Sequence, residues 1–368
     1  MSYKRHMGCR GEEYRHTSVV LVIVSSLGSS LGACTDKSDA EYRADVDTAL
    51  RDSIGADLVE LVRSARDLQA ASPNRAWNMD RREAAITDMR NAWKRMRIAY
   101  EHVEGAVTAM YPEVDAVLDA RYEENLARLD ANGDKYLFDG WGVVGMHAIE
   151  RILFAPMIRP EVTAFERTLD GYVEAAYPVS DDDAIAFKTL LVQRTIDDAD
   201  ALRKRWRTAT IDAALAYRGL IGVMIEDKEN MRLAVASEEE SRYSNVTLFD
   251  LRASLDGTQK TYELFRDWIR SKEVGAHSDS KIQVNFDRLS AAYGMTPTDS
   301  LPAIPASWCS ANPSDEDLAT PFGVMWQLVR ESVDSQDDSS VVFLMDQIAT
   351  LLGFSEPASA QPIGAGPS

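Results

Sequence analysis

His147 and Glu150 stand three residues apart, so on a helix they share one face. An imidazole beside a carboxylate supplies half of a metal site. Taken alone, such a pair is more often a surface hydrogen bond than a ligand set. A second half lies upstream, where Glu101 and Glu104 are also three apart. Arg97 and Glu104 fall at one heptad position beside an apolar seam, with Glu101 next to them, which puts all three at the edge of a helix–helix contact. The plainer reading of these residues is a solvated charged face carrying an Arg–Glu pair. Asp115 and Asp119 follow four apart, and Arg121 is within reach of one of them.

Long helices must carry these groups. Ile86, Met89, Trp93, Met96, Tyr100, Val103, Val107 and Met110 alternate spacings of three and four, which predicts one amphipathic helix over 80–110. Pro112 opens another with Val114, Leu118, Tyr122, Leu126 and Leu129 on one side, ended by a turn at Asn132-Gly133-Asp134. A third is expected from Tyr136 to Phe154. It would contain Gly140, Gly142 and Gly145, each costing about 1 kcal/mol against Ala in a helix interior. A neighbouring backbone or a ligand coming close is the expected compensation. Further helices are expected at 40–71, 160–176, 181–208, 211–236, 247–271, 280–293, 320–334 and 340–353, with a Pro-rich irregular connection over 294–317. No period-two alternation supports a sheet. The pattern predicts an all-α protein of packed helical bundles.

Composition narrows the partners. With 59 Asp+Glu against 40 Lys+Arg, the net charge of −19 would repel a polyanion, which excludes nucleic acid. Residues 1–17 are net positive, Val19–Val24 is apolar, and a Ser/Gly-rich stretch runs to Cys34, which is the order of a secretory signal. Leu31-Gly32-Ala33-Cys34 resembles a bacterial lipobox, so cleavage after residue 33 and lipidation of Cys34 are expected, with a short linker over 34–40. That would leave Cys309 without a partner, as a buried or quiet thiol. The Pro/Gly/Ser/Ala-rich segment 356–368 reads as a disordered tail.

Taken together, the motifs resemble a known family. Gly145-x-His147-x-x-Glu150 is similar to the signature of imelysin-like proteins. Trp93, Arg97, Tyr100-Glu101-x-x-Glu104 and Leu118-Asp119-Ala120-Arg121 resemble the EfeO/EfeM iron-uptake branch. Glu239-Glu240-x-x-Tyr243-Ser244, Leu248-Phe249-Asp250-Leu251 and Asp256-Gly257 resemble its second-half segment. Asn245 stands where that pattern carries a histidine, and Thr247 where it carries an aspartate.

The resemblance implies two packed antiparallel bundles, roughly 41–178 and 179–355, within a helical domain over 41–355. It also implies a metal site whose ligands are His147 and Glu150, with Glu101, Glu104 and Asp119 as acidic partners and Glu239 or Glu240 contributing from the second bundle. Arg97, Arg121 and Gly145 would support it. One imidazole among carboxylates suits iron, and also admits zinc, copper or manganese. The implied protein is exported, lipid-anchored and periplasm-facing, and passes iron or another cation to an inner-membrane iron permease or other envelope uptake component. The alternative is an imelysin-type metallopeptidase, which needs an open coordination position and a nearby base. Only His102, His147 and His277 follow Cys34, and no His-Glu-x-x-His pair occurs. A ferritin-like di-iron centre needs Glu-x-x-His, but Ala99, Val144 and Val274 precede these histidines by three. A purely structural envelope lipoprotein would leave the three glycines unexplained.

Overall fold

Ser38 starts the first helix with a capping box. Its hydroxyl accepts from the Glu41 N–H at 3.3 Å, and its own N–H donates to the Glu41 carboxylate at 2.7 Å. The computed structural model describes residues 37–129 and 133–354. The expected leader over 1–33, Cys34 and the tail over 356–368 lie outside the described residues, as does Asn132 of the expected turn.

The chain forms α1 (Asp39–Ala71), α2 (Met79–Glu101), α3 (Glu104–Met110), α4 (Pro112–Leu118), α5 (Tyr122–Ala127), α6 (Met146–Leu153) and α7 (Pro160–Glu166). After an extended stretch come α8 (Asp181–Ala186), a π turn at Phe187–Leu191, α9 (Val192–Thr208), α10 (Ala213–Ala234) and α11 (Thr247–Glu263). Then follow α12 (Arg266–Arg270), α13 (Glu273–Gly294), α14 (Asp315–Leu318), α15 (Pro321–Ser332) and α16 (Val341–Leu351). No strand occurs among the described residues, so the fold is all-α. Among the described residues no helix is long and apolar enough to cross a membrane.

Val46, Leu50, Ile54, Leu58, Leu61 and Leu68 give α1 a buried stripe at helical spacing. α2 runs antiparallel to it, as the Arg95–Asp67 and His102–Asp57 contacts show. α9 covers α1 as well, with Arg51 donating to the carbonyls that end it. Helices from either side of residue 178 therefore pack directly on one another, α1 on α9 and α3 on α10. Tyr217, Phe265, Trp268 and Phe354 pack edge to face in the carboxy-terminal part of the core.

Several expected helices are shorter or interrupted: the one over 160–176 ends at Glu166, and the one over 247–271 breaks after Glu263. The seam helix over 80–110 breaks at His102–Val103, where the Val103 N–H donates to the Tyr100 carbonyl at 2.8 Å instead of one residue earlier. α11 crosses there: a Cβ on Gly257 would come within 2.4 Å of the His102 Cα. The helix expected from Pro112 stops at Leu118 and restarts at Tyr122, leaving Asp119 at a helix end. Residues 136–145 form turns, and only Met146–Leu153 is helical. Gly140, Gly142 and Gly145 adopt φ of +75°, +74° and +92°, so they shape a loop rather than weaken a helix. Gly145 is also crowded, because a Cβ there would sit 2.6 Å from the Val117 carbonyl oxygen. Cys309 is exposed rather than buried.

α3 and α10 meet backbone to backbone at Gly105 and Gly219, where a Cβ on Gly219 would fall 1.7 Å from the Gly105 carbonyl oxygen. Helix propensity alone would make Gly219→Ala stabilising by about 1 kcal/mol. Overpacking opposes it, so we expect a net loss of about 2 kcal/mol in urea unfolding. A stabilised variant would mean that the two helices do not touch here.

Candidate metal centre

α2 delivers Arg97 and Glu101 one turn apart, both buried, and the guanidinium gathers carboxylates from four parts of the chain. It donates to Glu101, to Asp119 after α4, and to Glu240 at 2.8 Å, and its Nε lies 3.6 Å from Asp250 on α11. Two of these carboxylates, Asp119 and Glu240, face the imidazole of His147 on α6. Its Nε2 lies 3.2 Å from Glu240 and 3.4 Å from Asp119.

Every residue of α6 is buried, and the helix is held in place from both sides. The Trp93 indole donates to the Met146 carbonyl at 3.0 Å. Arg151, one turn after His147, pairs with Glu166 at 2.9 Å. Glu150 is fully buried and stands behind His147 rather than beside the other carboxylates. One of its oxygens takes the His147 Nδ1–H at 2.9 Å, and the other accepts from the Ser244 N–H at 2.8 Å and hydroxyl at 2.7 Å. Such a carboxylate fixes the ring and leaves the second nitrogen for a ligand.

Glu240 comes from the irregular segment between α10 and α11, which bends through left-handed residues at Ser237 and Asn245. Asn230 steadies its second oxygen at 3.1 Å. The neighbouring Glu239 turns away and pairs with Arg159 at 2.5 Å, so of the two expected glutamates Glu240 is the one brought to His147. Arg121 pairs with Glu124 at 2.9 Å rather than with Asp115 or Asp119. Two residues passed over in the sequence also belong here. Asp250 lay inside an apolar motif with no titratable neighbour at helical spacing, and Ser244 ended the Glu239-Glu240 motif as a neutral side chain.

Asp119, His147 and Glu240 each offer a ligand atom, all within 4.8 Å of one another. Donors about 2.1 Å from a shared ion sit about 3 Å apart when adjacent in its shell, close to the spacing found here. Two carboxylates and one imidazole suit iron, zinc, copper or manganese alike.

The electrostatics describe a site that holds excess negative charge. Burial pushes Asp119 up to about 7 against the pull of Arg97, and Asp250 up to about 6. Burial also holds Glu101 and Glu104 well above the usual carboxylate range. Burial raises Glu240 too, but Arg97 and His147 outweigh it and keep that carboxyl well below the ordinary value. Burial and Arg97 both oppose charging of His147, yet its hydrogen bonds with Asp119, Glu150 and Glu240 prevail and raise its pKa well above that of a free imidazole.

With this geometry in view, the comparisons are direct. The imelysin family model matches residues 54–319, most of the chain. The protein belongs to the imelysin family. An Efem/EfeO family lipoprotein of Staphylococcus haemolyticus is 25% identical over 278 residues, covering 73% of this imelysin and 82% of the relative. One from Staphylococcus aureus is 30% identical over 97 residues, or 26% of this chain and 32% of that protein. The crystal structure of an imelysin-like protein from Psychrobacter arcticum 273-4 superposes with a TM-score of 0.53 at 11% identity, over 84% of this chain and 97% of that one. At that identity the likeness concerns the fold.

For this imelysin the titrating groups of the site act in one direction. Asp119 and Asp250 bind their protons more tightly folded than unfolded, and so does His147. Their stabilisation is present at low pH and is lost as pH rises through their folded values, whereas the Glu240 contribution is present above the ordinary carboxylate range and is lost only as pH falls below it. Metal-stripped protein should therefore lose stability in urea as pH rises from about 5 to about 7. Asp119→Asn should flatten that slope, and stability rising over the same interval would contradict the assignment.

Proposed function

We propose that this imelysin is an exported, lipid-anchored protein that captures iron at the cell envelope and passes it to an inner-membrane permease or other uptake component. The observation that carries the reading is the buried His147, locked by Glu150 on one nitrogen and facing Asp119 and Glu240 with the other. Asp119, His147 and Glu240 hold the cation as cargo, Glu150 positions the imidazole, and Glu101 adds negative charge nearby. Zinc or copper would fit the same donors. That the Staphylococcus relatives are named lipoproteins supports the lipid anchor, which would fall here at Cys34.

The charges suit reversible loading. Without cargo, Arg97 and the His147 proton hold the carboxylates together. A cation arriving at Nε2 must displace that proton, so affinity falls with acidity and binding releases protons. Arg97 remains as a permanent charge inside the site, which tempers affinity and helps the cargo leave.

Chelator-stripped protein titrated with ferrous, ferric, zinc and copper ions should bind, and His147→Ala should weaken binding by about 100-fold. Glu150→Gln should cost about 10- to 100-fold, with helicity unchanged by circular dichroism. Equal binding by wild type and both variants would remove the site assignment. Chelator-sensitive cleavage of an unstructured peptide would instead favour the metallopeptidase. For the anchor, Cys34→Ala should move the protein from the membrane to the soluble fraction, and an unchanged distribution would exclude lipidation there.

A further inference from the structure

On the outer side of Asp119, Glu104 and Asp115 complete a second group of oxygens within 4.8 Å of one another. The group lines a cavity of about 250 Å³ bordered by α4 and α10. Asp115 has an orienting partner, because its Oδ1 accepts from the Tyr100 hydroxyl at 2.6 Å. Glu104 has none. It is 6% exposed, borders both this cavity and the narrower space beside Glu101, and its carboxylate makes no hydrogen bond or ion pair with any described residue. A buried carboxylate left in that state is costly unless a cation answers it.

The charge balance points the same way. Glu101, Asp119, Glu240 and Asp250 surround one guanidinium, and Glu104 makes no ion pair with it. A cation at His147 together with Arg97 would serve that group and leave Glu104 without a counter-charge.

We infer that Glu104, Asp115 and Asp119 form a second cation position, made of oxygen alone and joined to the His147 position through the shared Asp119 carboxylate. This rests on the reading of His147 as a cation ligand. Ions sharing a carboxylate sit about 3.5–4 Å apart, as in two-metal sites. Oxygen donors favour hard cations such as Mn²⁺, Mg²⁺ or Fe³⁺, whereas the imidazole position accepts softer ones. The outer position faces the cavity, so an incoming ion meets it first.

Mn²⁺ is the probe, added to metal-stripped full-length protein and followed by calorimetry and electron paramagnetic resonance. Wild type should take two equivalents and give a spectrum broadened by coupling between neighbouring ions. Asp115→Asn and Glu104→Gln should each take one equivalent and give an uncoupled signal, and both substitutions preserve side-chain shape. His147→Ala should also retain one. A single equivalent abolished by His147→Ala and untouched by both carboxylate variants would overturn the second position while upholding the first. Full binding in His147→Ala, with an equivalent lost in each carboxylate variant, would overturn the His147 reading and keep the outer position.

Discussion

Arg97 is the charge on which the arrangement depends. It is wholly buried, and its guanidinium ties α2 to the end of α4, to the segment before α11 and to α11 itself. Removing one member of such a group leaves uncompensated charge and costs about 3–5 kcal/mol. An apolar core of the same shape would be at least as stable. The polar centre is therefore a poor device for holding helices together and a good one for keeping carboxylates aligned and dry. Folding and site assembly are one event here, because the helices that bring the ligands are joined by the charges they carry.

The rest of the interior protects that alignment. Arg151 and Glu166 hold α6 one turn beyond His147, with Tyr243 donating to Glu166. Arg242 extends this second buried network to Glu123. Ser244 lies two residues further along the same segment and fixes Glu150. The irregular stretch between α10 and α11 thus holds the site twice, through Glu240 in front of His147 and through Ser244 behind it.

Much of this was legible in the sequence, and the remainder was hidden for identifiable reasons. The apolar seam of α2 announced its helix, and the His147–Glu150 spacing announced the chemistry. Periodicity could not reveal the break at His102–Val103, because its cause is Gly257 pressing on it from α11. Gly140, Gly142 and Gly145 drew notice as costly helix residues, yet positive φ made them turn residues, a distinction that composition does not carry. Helical spacing alone left the role of Glu150 open: three residues from His147 is the separation for a co-ligand and equally for a partner on the far nitrogen. The choice between Glu239 and Glu240 rested on Arg159, which is distant in sequence and adjacent in space. Local pattern read the elements, while long-range charge pairing decided which carboxylate went where.

The spaces on either side of Glu104 and Glu240 differ greatly in size. Outside Asp119 there is a cavity of about 250 Å³, while behind it the space lined by Glu101 and Asp250 falls to about 10 Å³, room for a single water. The site thus has the shape of a cul-de-sac rather than a corridor. On the proposed reading, whatever docks to collect the cargo would face the same doorway that admitted it, so loading and unloading would exclude each other at any one moment.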